Sequence, residues 1–257
     1  MEIWNAIVNF IVASVLMGTT LMYGTLGEIL TEKSGNLNLG VEGLIYMGGA
    51  GGLIAPYLYE QAAGEAASPV IGLILAILAG FLVAAFGSLI FSFLTITLRA
   101  NQNVTGLALT IFGVGFGKFF GEYYRVKAGG RLVISSDLDH LFTCIGGGIC
   151  GLGGLYFTMV SGSGNWAADA MDGKGWLAVA LVIFALWRPL RAVWGSILFG
   201  ALMIMYMRVT VFPIPTEIYK ILPYVVTLIV LIVLSIRQRR ENQPPASLGN
   251  AYFREER

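Results

Sequence analysis

The residues of this chain that could do chemistry are polar groups set into apolar runs. Asn36 and Asn38, with Glu42 four residues further on, open an otherwise apolar stretch that runs from Gly35 to Gly43 and beyond. Amides and carboxylates in such a run are costly if it meets lipid, so they normally face a protein interior or a water-filled path. Gly40 and Gly43 would let the backbone unwind or approach a neighbour closely, as in interrupted transmembrane helices. Two readings stand with equal weight. The triplet lines a path for a polar solute, or Asn36 or Asn38 caps a helix whose positive end Glu42 complements. A second cluster runs from Arg99 to Gly106. It offers Asn101 and Thr105 to the same path, with Asn103 as the expected helix cap. Glu28 reads as an interfacial group or a partner of Lys33, and Lys118 as a side chain that snorkels outward.

No nucleophile with a base and an orienting group stands out, and no metal-ligand spacing appears. His140 is the single histidine, which excludes histidine-based metal sites and histidine relays. Cys144 and Cys150 lie six apart in a glycine-rich apolar run and read as small packing residues. The expectation is a protein that is not an enzyme and has no cofactor of its own.

The elements that must position these groups follow from composition. Of 257 residues, 56% are hydrophobic and 12% charged, where a soluble chain carries about 25% charged. Mean hydropathy is +0.76. A soluble enzyme and a disordered chain are excluded by this balance. A nucleic-acid binder is excluded by the near-equality of 16 Lys+Arg and 15 Asp+Glu. A helix needs about 20 apolar residues to cross a hydrocarbon core about 30 Å thick. Candidate spans are 6–29, 36–59, 69–98, 103–121, 141–160, 175–187, 192–212 and 218–236. Long unbroken runs rather than alternation make them helices. The predicted fold is all-α, a polytopic transmembrane bundle of seven to eight membrane segments in contact with lipid. The short run 175–187 is expected to be half-spanning or re-entrant. Residues 1–240 form the membrane domain and 241–257 a cytoplasmic tail. Residues 1–30 lack a basic leader and an A-x-A end, so the first run is expected to stay as a span. Gly113, Gly117 and Gly121, and likewise Gly147 and Gly151, recur at the four-residue spacing that brings helix backbones together in a bilayer.

Orientation is read from Lys and Arg. Arg237, Arg239 and Arg240 follow the last span and place the C-terminus in the cytoplasm, with Arg99 and Lys33 on the same side. The acidic loop 60–68 then falls outside, and so does the N-terminus. Between Arg99 and Arg237 the number of crossings must be even, yet five candidate spans lie there.

Four stretches carry a family resemblance: Leu26–Glu28 with Asn36–Gly43; Arg99–Gln102 with Val104–Leu109; Gly173–Trp176 with Trp187–Pro189 and Leu198–Gly200; and Ile214-Pro215 with Leu222–Tyr224 and Pro245–Tyr252. In these the chain resembles the membrane permease subunits of ABC importers in the branched-chain amino acid/ribose superfamily. Within it, the pattern is similar to nucleoside permeases that work with lipoprotein receptors of the basic-membrane-protein type. The resemblance implies a pore shared with a second, commonly non-identical permease, and two cytoplasmic ATPase subunits that bind the ATP. It also implies an extracytoplasmic solute-binding lipoprotein, and a prokaryotic inner membrane as the location.

One departure stands out. Members of the family are usually about 50 residues longer, enough for a span of about 20 and a loop. Between the fourth span and the glycine-rich span they carry another helix and a cytoplasmic coupling loop that docks into the ATPase. Here that interval is only Tyr123 to His140, which explains the odd number of crossings. The function expected is import of nucleosides or related small polar solutes, sugars included. The alternative is a structural membrane subunit that supports a full-length permease and transports nothing itself.

Overall fold

A computed structural model describes residues 2–128, 149–161, 166–208, 216–237 and Leu248. Among the described residues there are eight α-helices: α1 (Glu2–Lys33), α2 (Val41–Ala63), α3 (Pro69–Ser92), α4 (Gln102–Lys127), α5 (Ile149–Tyr156), α6 (Lys174–Ala185), α7 (Pro189–Arg208) and α8 (Thr216–Arg237). Single wider turns extend α3 over Phe93–Thr97 and α5 over Phe157–Ser161. His140, Cys144, Gly147 and the tail apart from Leu248 lie outside the described residues.

The helices are built inside out relative to a soluble protein. On α3 the buried positions are mostly small, Gly72, Ala76, Gly80, Ala84 and Gly87. Its large side chains, among them Val70, Ile74, Leu78, Leu82 and Phe86, point outward at the same spacing of four. On α4 the same division sets Gly106, Gly113, Gly117 and Gly121 inward and Val104, Ile111, Phe119 and Val126 outward. Small inward residues permit backbone approach, and large outward ones meet hydrocarbon. Among the described residues, three helical segments, Trp4–Lys33, Pro69–Thr97 and Gln102–Lys127, are long and apolar enough to cross a membrane; Cys150–Val160, Lys174–Ala185, Pro189–Met205 and Ile221–Val233 are shorter apolar helices. The described residues are all-helical in their regular structure, and the chain is a multi-pass membrane protein.

Helix α2 lies at the centre, against α3, α4 and α5. Val41, Ile45, Tyr46, Ala50 and Leu53 are all fully buried. Its polar and glycine content is tolerated because protein, not lipid, surrounds it. Close approaches fix the directions. Leu39 meets Gly106, Gly43 meets Gly113 and Tyr46 meets Gly117, so α2 and α4 run parallel. Pro56 faces Gly72 while Leu44 faces Gly87, so α3 runs antiparallel to them. Helix α7 is antiparallel to α1, with Gly18 on Ser196 and Gly200 on Ser14. Lys33, Arg99, Arg188 and Arg191 thereby gather at one end of the bundle, where α1 and α3 finish and α7 begins.

Helix α6 runs parallel to α1, from the level of Thr25, whose hydroxyl donates to the Ala178 carbonyl, to that of Glu32, which accepts from the Trp187 indole. Its 12 residues rise about 18 Å, roughly half of a bilayer core. The short run 175–187 is thus a half-length helix that starts inside the bundle. The second expected span, 36–59, starts later than anticipated. Residues 36–40 are not helical, and α2 begins at Val41.

Two interrupted helices at the candidate solute path

The chain leaves α1 through a turn at Gly35, whose φ of 93° suits glycine. It then re-enters the bundle as a non-helical segment. A buried backbone without a helix or sheet needs side-chain partners, and each comes from α1, α4 or the segment itself. The Leu37 N–H donates to Gln102 Oε1 at 2.7 Å and the Asn38 N–H to Glu28 Oε1 at 3.0 Å. The Gly40 N–H donates to Asn38 Oδ1 at 2.9 Å, and the Leu39 carbonyl accepts the Thr110 hydroxyl at 2.7 Å. Helix α2 starts only after these bonds, with Gly40 as its N-cap and no side-chain cap.

Glu42 sits in the first turn of α2, but its carboxylate serves another helix. Oε1 accepts the Gly173 N–H at 2.9 Å and Oε2 the Trp176 N–H at 3.4 Å, both at the start of α6. Gly173 is left-handed, with φ 77°. A Cβ on Gly175 would fall 2.2 Å from Glu42 Cα, so only glycine lets the two helix starts touch. The positive ends of two interrupted helices thus meet inside the bundle, with Glu42 between them.

Around this junction lies a charged rim. Asp172 accepts from the Tyr46 hydroxyl and pairs with Lys118 Nζ at 3.3 Å, and Asp169 pairs with Lys118 at 2.8 Å. Lys174 donates to the Ala170 carbonyl and lies 4.3 Å from the centroid of the Phe157 ring. Toward the basic end the chemistry changes. A cavity of about 340 Å³ opens between the ends of α1 and α3 and the segment 34–38. Thr31, Ser34, Asn36, Asn38, Ser88 and Ser92 supply its polar lining, and no lining side chain is charged.

The structure brings Asn36 and Asn38 together in this cavity and sets Glu42 just beyond it, at the α6 junction. Neither asparagine caps α2, which corrects that half of the capping reading. Asn38 instead closes a local turn onto Gly40. The expectation for α4 is corrected too. Its cap is Asn101, which accepts the Val104 N–H at 3.1 Å, and Asn103 is exposed. Asn101 is itself exposed and absent from the cavity lining, while Thr105 is buried in the first turn of α4. Gly113 and Gly117 sit where α4 crosses α2, and Gly151 meets Gly48 and Ala84.

Two further expectations are corrected. Glu28 is fully buried and anchors Asn38 rather than facing an interface or pairing with Lys33; its second oxygen has no partner among the described residues. Lys118 turns to Asp169 and Asp172 rather than outward. Gln102 was not singled out, although its position beside Asn101 in a buried helix start was the available signal.

The sequence of residues 10–136 matches the family model described as the branched-chain amino acid transport system / permease component. Over that stretch, just under half of its length, the chain is similar to this permease family. It is a transport permease and not an enzyme, and the family works with ATPase and solute-binding protein partners. Among its relatives, the permease is 27% identical to a putative glucose ABC transporter permease of Haloferax volcanii, over 76% of each chain. It is 23% identical to a guanosine ABC transporter permease of Bacillus subtilis, over 86% of this chain and 92% of that one. A nucleoside ABC transporter permease of Lactococcus lactis is 20% identical over 90% of this chain and 93% of that one. No solved structure matches the permease.

Proposed function

We propose that this permease carries nucleosides or related small, uncharged polar solutes such as sugars, as half of a pore completed by a second, non-identical permease. An extracytoplasmic lipoprotein delivers the solute and cytoplasmic ATPase subunits drive the cycle. The basic end with Lys33, Arg99, Arg188 and Arg191 lies in the cytoplasm, as the positive-inside rule requires. The N-terminus is then outside.

The observation that carries the reading is an uncharged cavity, in which polar groups sit beside Leu30, Phe91 and Ile96. Hydroxyls of Thr31, Ser34, Ser88 and Ser92 and the amides of Asn36 and Asn38 offer hydrogen bonds without a fixed charge. Such a lining suits the hydroxyl and amide groups of a nucleoside or sugar. It has no counter-charge for the ammonium and carboxylate of a branched-chain amino acid, whose burial unpaired would be costly. The relatives, permeases for guanosine, nucleosides and putatively glucose, point the same way. Asn36 and Asn38 contact the solute, and Glu42 sets the geometry of the junction beyond them. Asn101 and Thr105 support the start of α4.

The test is uptake of labelled guanosine, glucose and leucine by cells expressing the whole transporter. Uptake of a nucleoside or sugar, with leucine excluded and Asn38→Leu reducing transport at unchanged membrane level, is the expected result. Leucine uptake alone would sink the reading. The second reading, a structural subunit that transports nothing, is favoured by the short interval between α4 and the glycine-rich segment. It predicts that Asn38→Leu leaves uptake untouched.

A further inference from the structure

The cavity lies on a seam between two groups of helices. Leu30 and Thr31 of α1 line one side, and Ser88, Phe91, Ser92 and Ile96 at the end of α3 line the other. Helix α1 packs along α5, α6 and α7 and meets α2 only marginally. Helix α3 packs on α2 and α5, and α2 packs on α4. The two walls of the cavity therefore belong to different groups.

The segment 36–40 crosses this seam, and both groups hold it. From α1, Glu28 Oε1 accepts the Asn38 N–H at 3.0 Å. From α4, Gln102 Oε1 accepts the Leu37 N–H at 2.7 Å, and the Thr110 hydroxyl donates to the Leu39 carbonyl at 2.7 Å. Gly106 lets α4 come this close, since a Cβ there would stand 2.6 Å from the Leu39 nitrogen. Three consecutive residues are thus each tied by a buried side chain that does not itself line the cavity. Glu28 is an expensive tie. It is fully buried, and its second oxygen has no partner among the described residues. A neutral acceptor would satisfy the Asn38 N–H at less cost. Groups kept against such a cost gather where geometry serves function. Asn36 and Asn38 flank Leu37 and both reach the cavity. Fixing the backbone of Leu37, Asn38 and Leu39 therefore fixes where their amides stand.

We propose that Glu28, Gln102 and Thr110 are positioning residues for solute binding. They tie the segment to both helix groups, so that the Asn36 and Asn38 amides stand at a set distance from the hydroxyls of Ser88 and Ser92. Loss of one tie lets the segment follow a single wall, which weakens solute binding while the bundle stays folded. The proposal rests on the reading of this cavity as the solute site.

The test is equilibrium binding of labelled guanosine and glucose to the purified complex of permeases and ATPases. The lipoprotein is left out, so the affinity read is that of the membrane subunits. Thr110→Val keeps the shape of the side chain and loses its hydroxyl; it is expected to weaken binding about three- to tenfold. Glu28→Leu and Gln102→Leu are expected to weaken it at least as much. Glu28→Gln and Gln102→Glu each keep an acceptor oxygen and are expected to recover most of the affinity. Thr25→Val makes the same change in a hydroxyl that serves the Ala178 carbonyl of α6 rather than the segment. It is expected to lower the thermal midpoint and not the affinity. Parent-like affinity in Thr110→Val would overturn the proposal. An equal loss in Thr25→Val would also overturn it, because general loosening of the bundle would then account for the effect. A parent complex that binds neither solute sinks the reading of the cavity itself. Parent binding that is lost in Asn38→Leu and kept in Thr110→Val sinks the positioning role alone.

Discussion

Glu42, in the first turn of α2, accepts the Gly173 N–H at the start of α6 at 2.9 Å, across 131 residues of chain. A carboxylate that would ordinarily favour its own helix start is shared with a second one. Four N–H groups at each helix start lack intrahelical partners, and inside a bilayer water does not fill them. Glu42 therefore makes the α6 start tolerable, while Gln102, Glu28 and Asn38 do the same for the segment that leads into α2. The junction joins the half of the molecule matched by the family model to the half that follows it.

The first prediction follows from that sharing. Glu42→Leu takes this acceptor from the part-buried Gly173 and Trp176 N–H groups, at a cost of up to about 1–3 kcal/mol for Gly173 and less for the longer Trp176 bond. Glu42→Gln keeps one acceptor oxygen and loses the charge. The thermal midpoint of the purified transporter is expected to fall in the order Glu42→Leu below Glu42→Gln below parent. Equal midpoints for all three would mean that Glu42 does not hold α6.

Asn38 and Asn101 are chemically alike and separable by experiment. Asn38 lines the cavity and closes onto Gly40, whereas Asn101 is an exposed cap of α4. Asn101→Ala is expected to cost about 1 kcal/mol of stability and to leave uptake per transporter unchanged. Asn38→Ala is expected to lower uptake per transporter. Uptake normalised to membrane level, measured for both, checks the contrast. The reverse ranking would move the path to α4.

Much of this architecture was readable in the sequence because its signals are local. Apolar runs gave the helices, and the brevity of 175–187 gave a half-length segment. The four-residue glycine spacing pointed to the faces where Gly113 and Gly117 now meet α2. Apart from the late start of α2 at Val41, the errors concern which partner a polar side chain chooses. Asn103 and Asn101 are equally good caps by type, and only the backbone geometry selects Asn101. Glu28 lies near Lys33 in sequence, but the re-entrant segment brings the Asn38 N–H to it instead. Lys118 meets Asp169 and Asp172 across 51 and 54 residues, a pairing that no local pattern encodes.

The close approach at Gly175 gives a sharp structural prediction. A Cβ there would stand 2.2 Å from Glu42 Cα, backbone against backbone, with no flexible side chain to yield. Gly175→Ala must therefore part α2 from α6. Gly115 has open space around it, and Gly115→Ala is the matched control, gaining roughly 1 kcal/mol of helix propensity. Monodisperse elution of the detergent-solubilised protein is expected for Gly115→Ala and not for Gly175→Ala. Normal elution of both would remove the contact.

The rim around Lys118 should divide by partner. Asp169 pairs with Lys118 and its side chain is 81% exposed, so solvent screens it. An exposed pair of this kind contributes about 0–1 kcal/mol, and Asp169→Asn is expected to change the thermal midpoint little. Asp172 accepts from the Tyr46 hydroxyl as well as from Lys118. It ties the loop before α6 to both α2 and α4. Asp172→Ala strips the Tyr46 hydroxyl of one acceptor, and the Ala168 carbonyl at 2.9 Å remains its other partner. Its effect is expected to exceed that of Asp169→Asn by about 1 kcal/mol, or about 2–4 °C in midpoint for a chain of this size. High salt should narrow the small Asp169 effect further, while leaving most of the Asp172 effect, because the Tyr46 bond is not an ion pair. Midpoints at low and high salt for the two variants decide the matter. Equal effects that vanish together in salt would mean that the rim is only a screened surface and does not hold the start of α6.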